Sequence, residues 1–185
     1  MSRAFVSEED SQFSGEEVPE IKIPLPPGAR NYMTHEGAEA LRDELSRLSS
    51  KERPRLAAGL AREVAGREGA DRDRLIRERS KLRKLERRIT YLGKMLARLE
   101  VVTPEGQDPS RVAFGAAVTV AETGGEPRVY RIVGVDESDP DRGLISWISP
   151  LAKALIGARV DDKVRLMLPE GERELTVTGI TYKPA

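Results

Sequence analysis

The chain has no cysteine among its 185 residues and a single histidine, His35. Without cysteine there is no disulfide framework, thiol nucleophile or cysteine-type zinc site. With one histidine, most transition-metal sites and Cys/His mechanisms fail on residue supply. Aromatics are scarce at 4%, with Trp147 the lone tryptophan, which suits a strand position in a core or interface. No apolar run approaches the roughly 20 residues that span a bilayer. The opening Met1–Val6 leads into acids and lacks the apolar core of a signal peptide. A cytoplasmic location without a membrane partner is therefore expected. There is no Gly-rich phosphate loop and no internal repeat. Net charge is also lacking: 31 Lys and Arg balance 31 Asp and Glu.

The zero total conceals a strong asymmetry. Residues 1–30 carry Glu8, Glu9, Asp10, Glu16, Glu17 and Glu20 against Arg3, Lys22 and Arg30. With prolines at 19, 24, 26 and 27, this stretch reads as a disordered or extended acidic tail. From Arg72 to Leu99 the balance inverts. Arg72, Arg74, Arg77, Arg79, Lys81, Arg83, Lys84, Arg87, Arg88, Lys94 and Arg98 face only Asp73, Glu78 and Glu86. Residues 101–185 are mildly acidic.

Two long helices precede residue 101. Leu41, Leu45, Leu48, Leu56, Leu60 and Val64 form one apolar seam. Leu75, Leu82, Leu85, Ile89, Leu92, Leu96 and Leu99 form the other. Spacings of three and four place each set on one helix face. Thr34 is positioned to cap the first helix, His35 to Ala65, and Pro54 inside it predicts a bend. The second helix is expected from Asp71 to Glu100. The short glycine-containing link, Gly66-Arg67-Glu68-Gly69-Ala70-Asp71-Arg72-Asp73, predicts an antiparallel coiled-coil hairpin with an acidic tip at 66–73. Thirty helical residues span about 45 Å, so the hairpin should project as a rod.

A Pro104-Glu105-Gly106-Gln107-Asp108-Pro109 linker ends this region, 31–103. Beyond it the pattern becomes β-branched and alternating at 117–121, 128–135 and 144–148, with a hairpin turn at Gly124-Gly125. Ser149 and Pro150 are helix-start residues for a short helix, Leu151 to Ile156. Strands at 163–168 and 174–182 complete residues 110–185. The fold class is α+β: a helical hairpin followed by a small twisted sheet covered by one helix.

Two constellations can carry chemistry. Glu68, Asp71 and Asp73 supply hard oxygen ligands suited to Mg²⁺ or to orienting a water. Alternatively, they are an ordinary polar turn in which Asp71 and Asp73 complement the positive end of the second helix. Arg67, Arg72 and Arg74 are close enough in sequence to pair with them. The basic helix suits phosphate binding. Alternatively, it is a solvated exterior paired with Glu44, Glu52 and Glu63 of the first helix. The first helix has too few acids to neutralise its partner.

The order of these parts resembles the Gre-type transcript cleavage factors of bacterial RNA polymerase, and the GreB-like branch in particular. Met33-Thr34-His35-Glu36-Gly37 looks like the family's opening, and Lys51-Glu52-Arg53-Pro54 like its Glu-Arg-Pro turn. Leu85-Glu86-Arg87-Arg88-Ile89-Thr90-Tyr91-Leu92 looks like the return helix. Phe114-Gly115-Ala116, Tyr130-Arg131-Ile132-Val133-Gly134 and Ser149-Pro150-Leu151-Ala152-Lys153-Ala154-Leu155 are similar to the C-terminal domain.

The resemblance implies an FKBP-like C-terminal domain without isomerase activity, docking at the rim of the polymerase secondary channel through Ser149, Pro150 and Leu151. The coiled coil would enter the channel. Glu68 and Asp71 map to the two key tip acids. With Asp73, they would help hold a Mg²⁺ shared with the polymerase active centre and orient a water. The polymerase's own two-metal centre would then cut backtracked RNA. The basic face, notably Arg77, Arg79, Lys81, Arg83 and Lys84, would track the nascent RNA 3′ segment. The protein would be a monomer and not itself an enzyme. The usual tip reads Gly-Asp-x-Ser-Glu-Asn-Ala; here Arg67, Ala70 and Arg72 stand in it, and Ile148 stands where many members have Asp. The alternative is a non-catalytic regulator or inhibitor binding the same channel. A structural coiled-coil adaptor without polymerase contact is a third reading.

Overall fold

Thr34 starts the helical region as its spacing predicts: its hydroxyl accepts a 3.0 Å bond from Gly37 N. The computed structural model describes residues 24–65, 72–103, 105–122, 125–169 and 171–182. In it α1 spans His35–Arg47, a π-helical segment Leu48–Glu52, α2 Arg53–Ala65 and α3 Arg72–Leu96. Where Pro54 predicts a bend, the helix carries this π segment. Pro54 has no N–H to give the Ser50 carbonyl, and its ring crowds that oxygen. One wider turn relieves both constraints, with Arg53 N–H donating to Leu48 O. The Ser49 and Ser50 hydroxyls bond back to Leu45 O and Ser46 O at 2.7 and 2.6 Å.

The second helix is shorter than predicted. It ends at Leu96, and Leu99–Val101 is a strand, β2, paired in parallel with β1, Asn31–Met33. The parallel pair closes the base of the helical arm, with α1, α2 and α3 in the connection between its two strands. The helical core sits here: Leu25, Met33, Ala38, Leu41, Leu48, Leu92 and Met95 are buried together. Leu25 lies within the span predicted as tail, so the packed chain begins earlier than residue 31. The acidic stretch upstream, residues 1–23, lies outside the described residues.

Outward from this base the burial fades. α2 contains no buried residue, and Val64 and Ile76 are 49% and 52% exposed. The 25 residues of α3 span about 38 Å. The distal helices therefore cover each other only partly, as a projecting arm does.

The rest is a five-stranded sheet in the order β5-β4-β3-β7-β6: β3 Ala117–Glu122, β4 Arg128–Val133, β5 Leu144–Ser146, β6 Lys163–Leu168 and β7 Gly171–Thr181. Neighbours are antiparallel except β4 and β5. β4 and β5 each end short of the predicted 135 and 148, and β7 begins before the predicted 174. β7 lies between β3 and β6 and pairs with both, and a bulge between Thr119 and Val120 shifts its register with β3. Of the expected Gly124-Gly125 turn, Gly124 lies outside the described residues. The short helix α4, Pro150–Leu155, is capped by Ser149, whose hydroxyl accepts from Ala152 N at 3.1 Å. Ala152 and Leu155 seal the sheet core with Val118, Val120, Ile132, Val164, Leu166, Leu175 and Val177.

A carboxylate joins arm and sheet. Glu137 accepts from Thr34 N at 3.1 Å, from the Thr34 hydroxyl, and from Gly134 N at 2.9 Å. Gly134 must be glycine, since a Cβ there would lie 2.8 Å from Tyr32 O. A Cβ on Gly37 would overlap the Glu137 carboxyl group. Trp147 packs against both cores and meets Tyr32 edge-on at 5.3 Å between centroids. Removing the carboxylate strands the Thr34 and Gly134 donors. Glu137→Ala should cost about 2 kcal/mol of unfolding free energy, and Glu137→Gln, which keeps one acceptor, about half as much. Urea denaturation followed by circular dichroism measures both.

Candidate functional site

The arm's two sides are tied by ions at intervals. Arg88 holds Glu44 through two bonds, Nε at 2.8 Å and Nη2 at 2.7 Å. Arg53 Nε donates to Glu86 at 3.2 Å, and Arg74 lies 2.6 Å from Glu63. Positions rise along one side as they fall along the other, so the two sides are antiparallel. Glu52, predicted as a partner of the basic helix, is instead engaged by Arg47.

Of the predicted tip acids, Asp73 occupies the exposed first turn of α3, where a carboxylate meets the positive helix end. Glu68 and Asp71 lie outside the described residues. Among the described residues no group of three or more His, Asp or Glu side chains is placed to hold a metal ion. The Glu63–Arg74 pair fastens the arm near that end.

The basic residues Arg77, Arg79, Lys81, Arg83 and Lys84 are all exposed, but they do not form one surface. At 100° per residue they are spread around more than half of the helix. Lys81 is drawn to Glu78 at 2.7 Å. A narrower set emerges from the helix. Arg79, Arg83, Arg87 and Lys94 fall at spacings of four, four and seven, on one stripe opposite the seam of Leu75, Leu82, Leu85, Ile89, Leu92 and Leu96. Arg98 continues it in the turn after α3. Among the described residues, Arg79, Arg87, Lys94 and Arg98 have no acid within ion-pair distance. Spacings of four and seven were the signal available in the sequence for Arg87, Lys94 and Arg98 as members of one surface.

At the arm's base, Tyr91 donates to Asp136 at 2.9 Å, and Arg88 lies 5.3 Å over the Tyr91 ring. Burial and the Asp136 bond push the Tyr91 hydroxyl pKa well up, so it stays a donor. The hydrogen bond from Arg88 holds the Glu44 carboxyl below its usual range, against a smaller opposing effect of burial.

On the sheet, Ser149 spends its hydroxyl on capping α4, Pro150 is exposed at the first helical position, and Leu151 is half-buried. Leu151 forms a wall of an open groove with Val120, Tyr130, Leu166 and Leu175; Arg128 and Arg173 lie at its rim with Glu122 and Glu126. The groove has an apolar floor and a charged edge, suited to a protein segment carrying an apolar side chain.

The described residues form a charged helical arm seated on a small grooved sheet. The family model for the N-terminal region of transcription elongation factors matches residues 31–101, and the GreA/GreB C-terminal model matches 107–182. Transcription elongation factor GreB of Yersinia pestis is 38% identical over 83% of this chain and 90% of its own length. GreB of Pseudomonas aeruginosa is 39% identical over 83% and 91%. The crystal structure of the Gfh1 protein of Thermus thermophilus is similar at 25% identity over 82% of this chain and 99% of that one, with a TM-score of 0.41. The chain belongs to the GreA/GreB family of transcription elongation factors, on its GreB-like side.

The Glu44–Arg88 pair is testable through pH. A carboxyl whose pKa is lowered on folding stabilises the protein above its unfolded value, and that stabilisation is lost as pH falls through the folded value. Both groups are partly exposed, so solvent screening limits Glu44→Gln to about 0.5 kcal/mol of destabilisation at pH 7. The difference from the parent should vanish by about pH 3, as read by urea titration at the two pH values.

Proposed function

We propose that this protein binds bacterial RNA polymerase through the secondary channel and stimulates the polymerase's own cleavage of backtracked RNA. The observation that carries the proposal is the arm: two antiparallel helices, tied by Glu44–Arg88, Arg53–Glu86 and Glu63–Arg74, with the sequence that holds Glu68 and Asp71 between them. In this reading residues 31–103 form the coiled-coil hairpin and 110–185 the FKBP-like docking domain. Ser149 fixes the start of α4, which sets Pro150 at the surface and Leu151 in the groove wall, where a polymerase segment docks.

Glu68 and Asp71, with Asp73 behind them, are carried by the arm to the active centre. Their oxygens are the donor type that Mg²⁺ takes, so Glu68 and Asp71 would help hold an ion shared with the polymerase, which would supply Lewis-acid activation of a water there. The arm's own task is positioning, and an error of about 1 Å there can cost roughly 100-fold in rate. The exposed bases of α3 track the phosphates of the extruded RNA 3′ segment. The protein alone cuts no RNA, because it brings part of a site and relies on the polymerase for the rest.

A second reading has its own observation. Arg72 opens α3 directly beside Asp73, and Arg67 and Ala70 stand in the tip sequence. An arginine there can pair with the acids and leave a polymerase-binding regulator without cleavage activity.

The deciding experiment adds the protein and Mg²⁺ to a halted, backtracked elongation complex. Release of short 3′-labelled RNA, reduced at least 100-fold in Glu68→Ala/Asp71→Ala, is the expected result. Binding without release supports the regulator. Failure to bind core polymerase removes both readings. Leu151→Asp should weaken polymerase binding about tenfold without changing the circular dichroism spectrum, as measured by competition with a labelled parent protein.

A further inference from the structure

Two neighbouring carboxylates at the joint between arm and sheet reach different helices. The short 3-10 turn Val135–Glu137 follows β4 after Gly134. Its Glu137 takes the Thr34 amide and hydroxyl at the start of α1. Its Asp136 accepts from the Tyr91 hydroxyl, near the end of α3, at 2.9 Å. The apolar contacts at the joint, Trp147 against both cores and Tyr32 beside Trp147, act chiefly by burial, which has no preferred direction. A hydrogen bond weakens steeply as its angle closes, so it resists sliding where burial does not.

The second grip closes a circuit. Tyr91 lies under Arg88, whose guanidinium is 5.3 Å from the centre of the ring. Arg88 in turn holds Glu44 of α1 through two bonds. The path therefore runs from Asp136 to α3, across the arm to α1, down α1 to Thr34, and back to the same turn at Glu137. Oδ1 of Asp136 is spent on Tyr91, while its Oδ2 is buried with no hydrogen-bond partner among the described residues. Leaving a buried carboxylate oxygen bare costs free energy. An acid kept at that cost, for one bond to a hydroxyl, points to a role in geometry rather than in stability.

The lever arithmetic shows why a second point matters. A rod held only at the cap of α1 can swing about that cap. Packed helices lie about 9 Å apart, so a contact on the other helix opposes the swing with a lever of about that length. From Tyr91 out to Arg72 the arm rises about 28 Å at 1.5 Å per residue. Slack of about 1 Å at the lever is therefore multiplied about threefold at the far end of α3.

We infer that Tyr91 and Asp136 are positioning residues, whose hydrogen bond is the second fixed point that stops the arm from swinging about Thr34. The fixed point itself needs no polymerase; its effect on cleavage rests on the function proposed above. Tyr91→Phe keeps the ring under Arg88 and removes only the hydroxyl, so it separates direction from packing. Asp136→Asn keeps an acceptor for that hydroxyl, and Asp136→Ala removes it.

The test uses the full chain, whose lack of cysteine makes any introduced cysteine a unique labelling site. Spin labels at Ala61→Cys, exposed on α2, and Met167→Cys, 69% exposed on β6, report their distance distribution by double electron–electron resonance. Tyr91→Phe and Asp136→Ala should each widen that distribution about twofold, and the double variant no further, since both remove one bond. Asp136→Asn should keep the parent width. An unchanged width in Tyr91→Phe overturns the inference, and so does additive widening in the double variant. On a backtracked elongation complex, Tyr91→Phe should lower the cleavage rate at saturating protein about tenfold and change the half-saturating concentration less than about twofold. A loss confined to the half-saturating concentration overturns the positioning role, because the bond would then serve docking. Widening in Tyr91→Phe with no cleavage by the parent supports the fixed point and sinks the proposed function alone.

Discussion

The arm's direction depends on one carboxylate. Glu137 gathers the Thr34 amide, the Thr34 hydroxyl and the Gly134 amide, three donors from two segments about a hundred residues apart. Bonds to a charged acceptor are roughly twice as strong as neutral ones, and here the donors are also the cap of α1 and the end of β4. The clamp therefore fixes helix and sheet in one act. It also dictates sequence around it, because Gly37 and Gly134 leave the space that the Glu137 side chain and Tyr32 O fill. A rod of about 38 Å magnifies any slack: tilting its base by about 5° moves the far end by about 3 Å. A long arm with a core only at its base is oriented by the polar interactions at that base.

The second constraint is how an arm keeps its register with little to bury. α2 buries no side chain, and α3 buries only Leu92 and Met95, both near the base. Exposed ion pairs contribute less than about 1 kcal/mol each, so Glu44–Arg88, Arg53–Glu86 and Glu63–Arg74 set register more than stability. Pro54 lies at the boundary of these regimes. The π segment before it absorbs the missing donor within the helix, so the chain continues outward without losing a turn of hydrogen bonds.

The long elements were legible because their signals are local. Thr34 and Ser149 cap the helices their spacing announces, and the alternation at 117–121 and 163–168 reads directly as strands. The β1–β2 pair was not, since three-residue strands separated by an entire hairpin have no local pattern. Leu99 completes the heptad seam and so reads as helix, yet pairing with Asn31 captures it as strand. Leu25 sits among prolines and reads as tail, but tertiary packing buries it. For the site, residue type pointed to the basic helix while spacing decided which members share a surface. Arg79, Arg83, Arg87 and Lys94 do, whereas Arg77, Lys81 and Lys84 sit on its flank. Glu68 and Asp71 rest on sequence and family membership.

Net charge is a poor guide to such a molecule. Equal numbers of acids and bases would matter little if they were mixed, but here they are separated along the chain and along one helix. At physiological salt the screening length is about 8 Å. Stripe members one helical turn apart, about 6 Å, therefore act together, while charges on the far sheet edge do not reach them. A ligand sees a basic line rather than a neutral protein. An extended polyanion can engage several members of such a line at once, and a small anion engages one residue.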